Sequence, residues 1–226
     1  MSHSAAISLV RRTFDFLLDL FYPPCCGGCG RAGLGWWCDD CDTRVPWLEG
    51  EAIAVAQPLD DGYPDLKVLS AAKFESPLRE AIHRFKYEGY IHLGSIFGAR
   101  MGALWARHGQ PVDAIVPVPL HSSRLRERGF NQSALLAREV STVANAPVWA
   151  QALRRVRATQ QQARLDDPEA RRANVRGAFV AAQALDGRAV LLIDDVFTTG
   201  ATISACAIVL YRAGASRVIA LTLARA

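Results

Sequence analysis

From about residue 112 onward, short continuous apolar runs alternate with longer segments in which apolar positions recur at helical spacing. Ala114–Val118, Ala189–Ile193 and Arg217–Leu223 read as buried strands, and Val68–Phe74 as another upstream. Pro77–Tyr87, Ile91–Arg107, Asn131–Val143 and Thr202–Arg212 read as helices. A proline in its first turn opens the first of these, and Gly214 closes the last. Ala178–Val180 reads as a strand edge, and Glu51–Pro64 as short strand and loop. Strands alternating with helices predict an α/β fold with a parallel sheet flanked by helices. Ahead of it, Ile7, Val10, Phe14, Leu17, Leu18 and Phe21 fall on or near one face of a predicted helix, Ser4–Phe21, which Pro23-Pro24 stops. The expected division is a helix over 1–21, a cysteine-rich module over 22–50 and an α/β domain over 51–226.

A chain of 226 residues, 50% hydrophobic and 21% charged, has room for one domain plus a small module. This composition excludes a disordered, collagen-like or coiled-coil protein. No apolar run approaches the ~20 residues of a membrane span. Asp15 and Asp19 interrupt the apolar stretch near the N-terminus, and no small-residue cleavage site follows, so the expected compartment is the cytoplasm. A net charge of +4 permits phosphate contact without demanding it. The first fifty residues carry four Arg against six acids, a poor balance for a simple nucleic-acid-binding module.

Five of the six cysteines crowd into one short stretch: Cys25, Cys26, Cys29, Cys38 and Cys41. Such clustering suits a metal site in a reducing compartment better than a secreted disulfide framework. Cys26-Gly-Gly-Cys29 and Cys38-Asp-Asp-Cys41 form two knuckles able to surround a structural Zn²⁺ with four thiolates, leaving no open catalytic position. Cys25 is adjacent and able to compete, and a redox pair or plain buried cysteines are the other readings. Trp36 and Trp37 suit packing beneath the knuckles, with base stacking as the alternative. Cys206, inside a helical pattern, reads as core.

The most informative run is Val190-Leu-Leu-Ile-Asp194-Asp195-Val196-Phe197-Thr198-Thr199-Gly200-Ala201-Thr202. A buried strand ends in two carboxylates, and a loop of small and hydroxyl residues then opens a helix. Ligands of open parallel sheets bind at the carboxyl ends of strands. Backbone N–H groups at a helix N-terminus, together with threonine hydroxyls, cradle phosphate. Two carboxylates beside that cradle repel a bare phosphate, but accept hydrogen bonds from a sugar diol or hold Mg²⁺. A ribose 5-phosphate has diol and phosphate in that relation. No GxxxxGK[ST] is present, so this is not a P-loop.

The run resembles the phosphoribosyl-pyrophosphate motif of type I phosphoribosyltransferases. Pro117-Val-Pro-Leu-His121 with Arg124, Arg126, Arg128 and Gly129-Phe-Asn131-Gln132 resembles the ComF family, as do Arg157-x-Thr159-x-x-Gln162, Arg171-x-x-Asn174 and Lys86-Tyr87-x-Gly89. The resemblance implies a type I phosphoribosyltransferase-like sheet with an N-terminal zinc ribbon, linked to nucleotide metabolism or to DNA uptake in competence. It implies that Asp194 and Asp195 hold the ribose hydroxyls, and that Thr198, Thr199, Gly200, Ala201 and Thr202 hold the 5-phosphate. It implies a pyrophosphate loop with Pro119, Leu120 and His121, where Arg124, Arg126 and Arg128 act with Mg²⁺. Arg154–Arg176, rich in Arg and poor in apolar anchors, is the candidate mobile lid, carrying Arg157, Thr159, Gln162, Arg171 and Asn174. Expected partners are phosphoribosyl pyrophosphate or a related small molecule, and single-stranded DNA or a competence-machinery protein. The reading is either a phosphoribosyltransferase acting on a nitrogen nucleophile, or a non-catalytic competence factor that senses the ligand and binds DNA or protein through its zinc ribbon.

Overall fold

The computed structural model describes residues 23–59, 62–158 and 175–226. The predicted helix Ser4–Phe21 lies outside them, as do Thr159, Gln162, Arg171 and Asn174. In chain order the strands are β1 (Ala54–Gln57), β2 (Leu66–Lys73), β3 (Ala114–Pro117), β4 (Leu153–Arg155), β5 (Phe179–Ala181), β6 (Ala189–Phe197) and β7 (Arg217–Arg225). The α-helices are α1 (Asp39–Arg44), α2 (Leu78–Tyr87), α3 (Leu93–His108), α4 (Ser122–Arg128), α5 (Gln132–Ala144) and α6 (Ala201–Arg212).

Five strands form one sheet in the order β1-β2-β7-β6-β3. The pairs β2–β7, β7–β6 and β6–β3 are parallel, and β1 is an antiparallel edge. The sheet is therefore mixed and mostly parallel, where the alternation predicted parallel strands throughout; the short segment after the cysteines supplies the exception. β4 and β5 make a separate antiparallel ribbon.

Side-chain alternation along β6 feeds two cores. Leu191 and Ile193 pack with Phe85, Phe97, Met101 and Leu136 of α2, α3 and α5. Val190 and Leu192 pack on the other face with Cys206 and Leu210 of α6 and with Leu153 and Phe179 of the ribbon. Each of these large side chains, fully buried, contributes roughly 1.5–3 kcal/mol. Cys206 is core, as its helical setting predicts.

Three glycines of α3 let α5 approach closely. A Cβ at Gly94, Gly98 or Gly102 would stand 3.1, 2.6 or 3.1 Å from the side chains of Leu135, Glu139 and Val143 respectively. This seam fixes the N-terminus of α5 against the ends of β3 and β6, where the site lies.

Two differences from the sequence reading bear on that site. β6 does not stop at Ile193 but runs on to Phe197, because β7 keeps pairing with it at Asp194↔Thr222, Val196↔Ala224 and Phe197↔Arg225. The aspartates thus sit within a strand rather than after one. Arg124, Arg126 and Arg128 belong to the helix α4 and not to an open loop.

Candidate functional site

Asp194 and Asp195 are adjacent on β6, and their side-chain partners, Ser133 of α5 and Lys86 of α2, come from helices of the same core. Both are buried. Asp195 lies on the α2 side, where Lys86 Nζ stands 2.6 Å from its Oδ2. Asp194 Oδ1 accepts from Ser133 Oγ at 3.0 Å and from the Asp195 backbone N–H at 2.9 Å. Ser133 is held in turn. Asn131 caps α5 by accepting from Ser133 N through Oδ1, while its Nδ2 donates to Val118 O at 3.0 Å. Burial, with the Asp195 carboxylate beside it, pushes Asp194 up to about 7; Lys86 and the two hydrogen bonds pull the other way. Asp194 is thus poised to change charge near neutrality.

The hydroxyl loop follows at once. Gly200 adopts φ 75° as the cap of α6, whose first N–H groups face outward unsatisfied by the helix. Thr198 is exposed, and Ala201 and Thr202 form the first turn. Thr199 Oγ1 and Ser204 Oγ are buried with no hydrogen-bond partner. Buried hydroxyls without partners are costly, and they are the groups an incoming oxyanion would satisfy. Gln57 of β1 lies over Gly200, where a Cβ would run into its side-chain amide. Gly200→Ala is expected to cost about 1–2 kcal/mol for the left-handed backbone alone, and to disorder the loop against Gln57. A chemical-denaturation midpoint close to wild type would contradict this.

Pro119 is buried and Leu120 half-buried after β3. His121 caps α4: its Nδ1 accepts from Ser123 N at 3.3 Å and lies 2.8 Å from Ser123 Oγ. Arg124 is half-buried and Arg126 exposed. Arg128 turns back to Gln132 Oε1 and lies over the Tyr87 ring. Arg157 Nη2 donates to Arg176 O at 2.7 Å across the two ends of the candidate lid. Arg155 of β4, which the sequence reading did not single out, lies within electrostatic reach of Arg124 and Asp194. Lys86, Ser133 and Gln57 likewise entered the site only with the fold. Only Lys86-Tyr87-x-Gly89 had given a signal.

Away from the sheet, Cys26, Cys29, Cys38 and Cys41 bring their sulfurs within 4.8 Å of one another. None is in a disulfide, and Cys29 and Cys38 Sγ are 3.8 Å apart. Thiolates ~2.3 Å from a tetrahedral zinc stand about 3.8 Å from each other, so the four fit that ion. Backbone turns shape the knuckle: Gly30 N donates to Cys26 O, and Gly27 N to Trp36 O, both at 2.8 Å. Arg31 beside Cys29 draws its thiol down to about 6, while burial pushes Cys41 up to about 12. Cys25 stands outside the group, its thiol facing Pro23 O at 3.8 Å. Trp37 packs edge-on against Phe97, and Trp36 stacks on His92, as the packing reading expects. Among the described residues no helix is long and apolar enough to cross a membrane.

An α/β protein with paired carboxylates at the end of a central strand, and a four-cysteine cluster able to hold zinc, is thereby defined. It is 34% identical over 161 residues to DNA utilization protein YhgH of Escherichia coli (strain K12), spanning 69% of this chain and 70% of that one. It is 29% identical over 214 residues to Competence protein F of Haemophilus influenzae, spanning 89% and 90%. Competence protein ComFC of Bacillus subtilis matches at 27% over 158 residues, 69% and 63%. No protein-family model matches the chain. The chain belongs to the ComF family.

Proposed function

We propose that this protein binds phosphoribosyl pyrophosphate, or a related ribose 5-phosphate, with Mg²⁺ at the C-terminal end of β6, and that it serves DNA uptake. The observation that carries the ligand is the neighbourhood of two buried carboxylates and two partnerless hydroxyls at a helix N-terminus. The carboxylates accept from the ribose diol, and the N–H groups and hydroxyls of Thr198–Thr202 donate to the 5-phosphate oxygens. Arg124 and Arg155 face the remaining anionic part of the ligand. Mg²⁺ on the pyrophosphate would neutralise that leaving group. In a transfer reaction, positive charge develops on the ribose ring beside Asp194 and Asp195, which stabilise it electrostatically and lie away from bulk water. The DNA-uptake role rests on the names of the relatives, which are a DNA utilization protein and two competence proteins. The four-cysteine cluster would hold zinc as a structural ion.

Calorimetric titration of phosphoribosyl pyrophosphate with Mg²⁺ into the zinc-loaded chain tests this. Saturable binding is expected in wild type, and its loss in Asp194→Asn/Asp195→Asn. A folded wild-type protein that takes up no ligand would overturn the reading. A host carrying the double variant is expected to transform less often, and unchanged transformation would remove the uptake role.

A further inference from the structure

The last turn of α2 touches two places far apart in sequence. On one side Arg84 Nη1 donates to three carbonyls of the first knuckle: Cys26 O at 3.3 Å, Gly27 O at 2.7 Å and Gly28 O at 3.0 Å. Its side chain is 26% exposed, and its Nε lies 3.7 Å from Glu88 Oε2. Two residues on, Lys86 reaches Asp195. Positions two apart on an α-helix point about 200° apart, so the two cations leave α2 on opposite sides. Phe85, between them, is fully buried and packs toward Phe130, one residue before the cap of α5. The knuckle also braces the starts of α2 and α3: a Cβ on Gly28 would stand 3.1 Å from Pro77 Cβ, and one on Gly27 would stand 2.7 Å from Leu93 Cδ1. Three carbonyls converge on one guanidinium nitrogen only while the knuckle keeps its fold, and four thiolates around a metal would fix that fold.

We propose that Arg84 is a positioning residue. By gripping the knuckle it sets the last turn of α2 and holds Lys86 on Asp195, so that metal retention by the cysteines and occupation of the carboxylate site are coupled. Such coupling is reciprocal, so ligand at β6 slows metal loss from the knuckle. The ligand half of this inference rests on the phosphoribosyl reading; the Lys86 half does not.

The chain has three lysines, of which Lys67 and Lys73 are exposed and serve as internal references. Pulse acylation with an amine reagent, read by mass spectrometry on the full zinc-loaded chain without ligand, reports how firmly Lys86 is held. In Arg84→Ala with one zinc bound and native circular dichroism, Lys86 labelling relative to the two references is expected to rise several-fold. Arg84→Lys, whose ammonium offers three donors on one nitrogen, recovers part of the protection. Should Arg84→Ala lose its metal, Arg84→Gln, retaining an amide donor, carries the same measurement. Unchanged Lys86 labelling in a folded, metal-loaded variant overturns the inference. In the second arm, phosphoribosyl pyrophosphate with Mg²⁺ is titrated into wild type, Arg84→Ala, Lys86→Met and the double variant. The double variant is expected to bind no more weakly than Lys86→Met alone, because Arg84 acts through Lys86. Fully additive losses overturn the inference. Absence of binding by wild type overturns the ligand reading instead, and leaves the labelling result to decide the role of Arg84.

Discussion

Removal of the metal by a chelator is expected to unfold the knuckle region while leaving most of the sheet intact. Between Pro23 and Trp47 the buried side chains are few, chiefly Cys26, Cys38, Cys41 and Val45. So small an apolar core does not offset the conformational entropy of ordering that stretch, at about 1–2 kcal/mol per residue. A structural zinc supplies on the order of 10–16 kcal/mol in isolated finger peptides, a large share of what holds such a stretch folded. The anchors of this stretch to the rest of the molecule are Val45 and the half-buried Trp36, Trp37 and Trp47 at the margin of the main core, together with the Arg84 grip and the Arg100–Asp42 ion pair. Three of the five tryptophans, Trp36, Trp37 and Trp47, report on this region. Chelation is therefore expected to red-shift the fluorescence and open the 23–47 segment to protease, with little loss of far-ultraviolet dichroism. Cys38→Ser is expected to do the same without chelator. A protein stripped of metal, with unchanged fluorescence and protease resistance, would show that the cysteines pack without an ion.

Much of the α/β layout was legible because long periodic segments carry their own signal. Pro77–Tyr87 and Asn131–Val143 coincide with α2 and α5 almost to the residue. The missing elements are those whose stability comes from elsewhere. α4 has one large apolar residue, Leu125, which is exposed, and its cap is a histidine rather than the usual small polar residue. β4 is only three residues long and gains meaning only by pairing with β5, whose position the strand edge at Ala178–Val180 had marked. At the site, the aspartates and the threonine loop were readable because strand, turn and helix start are contiguous. Lys86, Ser133 and Arg155 come from three other elements. Nothing local in their sequence says that α2, α5 and β4 converge on the end of β6.

Ligand-free Asp194→Asn is expected to be more stable than wild type at pH 8, and progressively less so in comparison toward pH 5. Asp194 keeps its proton up to about 7 in the folded state, whereas the ordinary value is 3.8. Between those values the folded chain holds more protons than the unfolded one, so unfolding free energy falls as pH rises, and the loss is complete above about 7. Three units correspond to roughly 4 kcal/mol. Asparagine cannot ionise, keeps an oxygen for Ser133 and the Asp195 N–H, and removes that slope. Denaturant midpoints measured across pH 5–8 check it; parallel curves for the two proteins would contradict it. Ligand affinity is expected to move the opposite way. A diol donates to the ionised carboxylate, so wild-type binding strengthens as pH rises through 7 and releases a proton, visible as a buffer-dependent heat. The asparagine variant loses both the affinity and the proton release. A buried carboxylate beside a second one thus lowers the stability of the empty protein, and a ligand that supplies hydrogen-bond donors at that point relieves the penalty, a trade expected of a binding site rather than of a structural core.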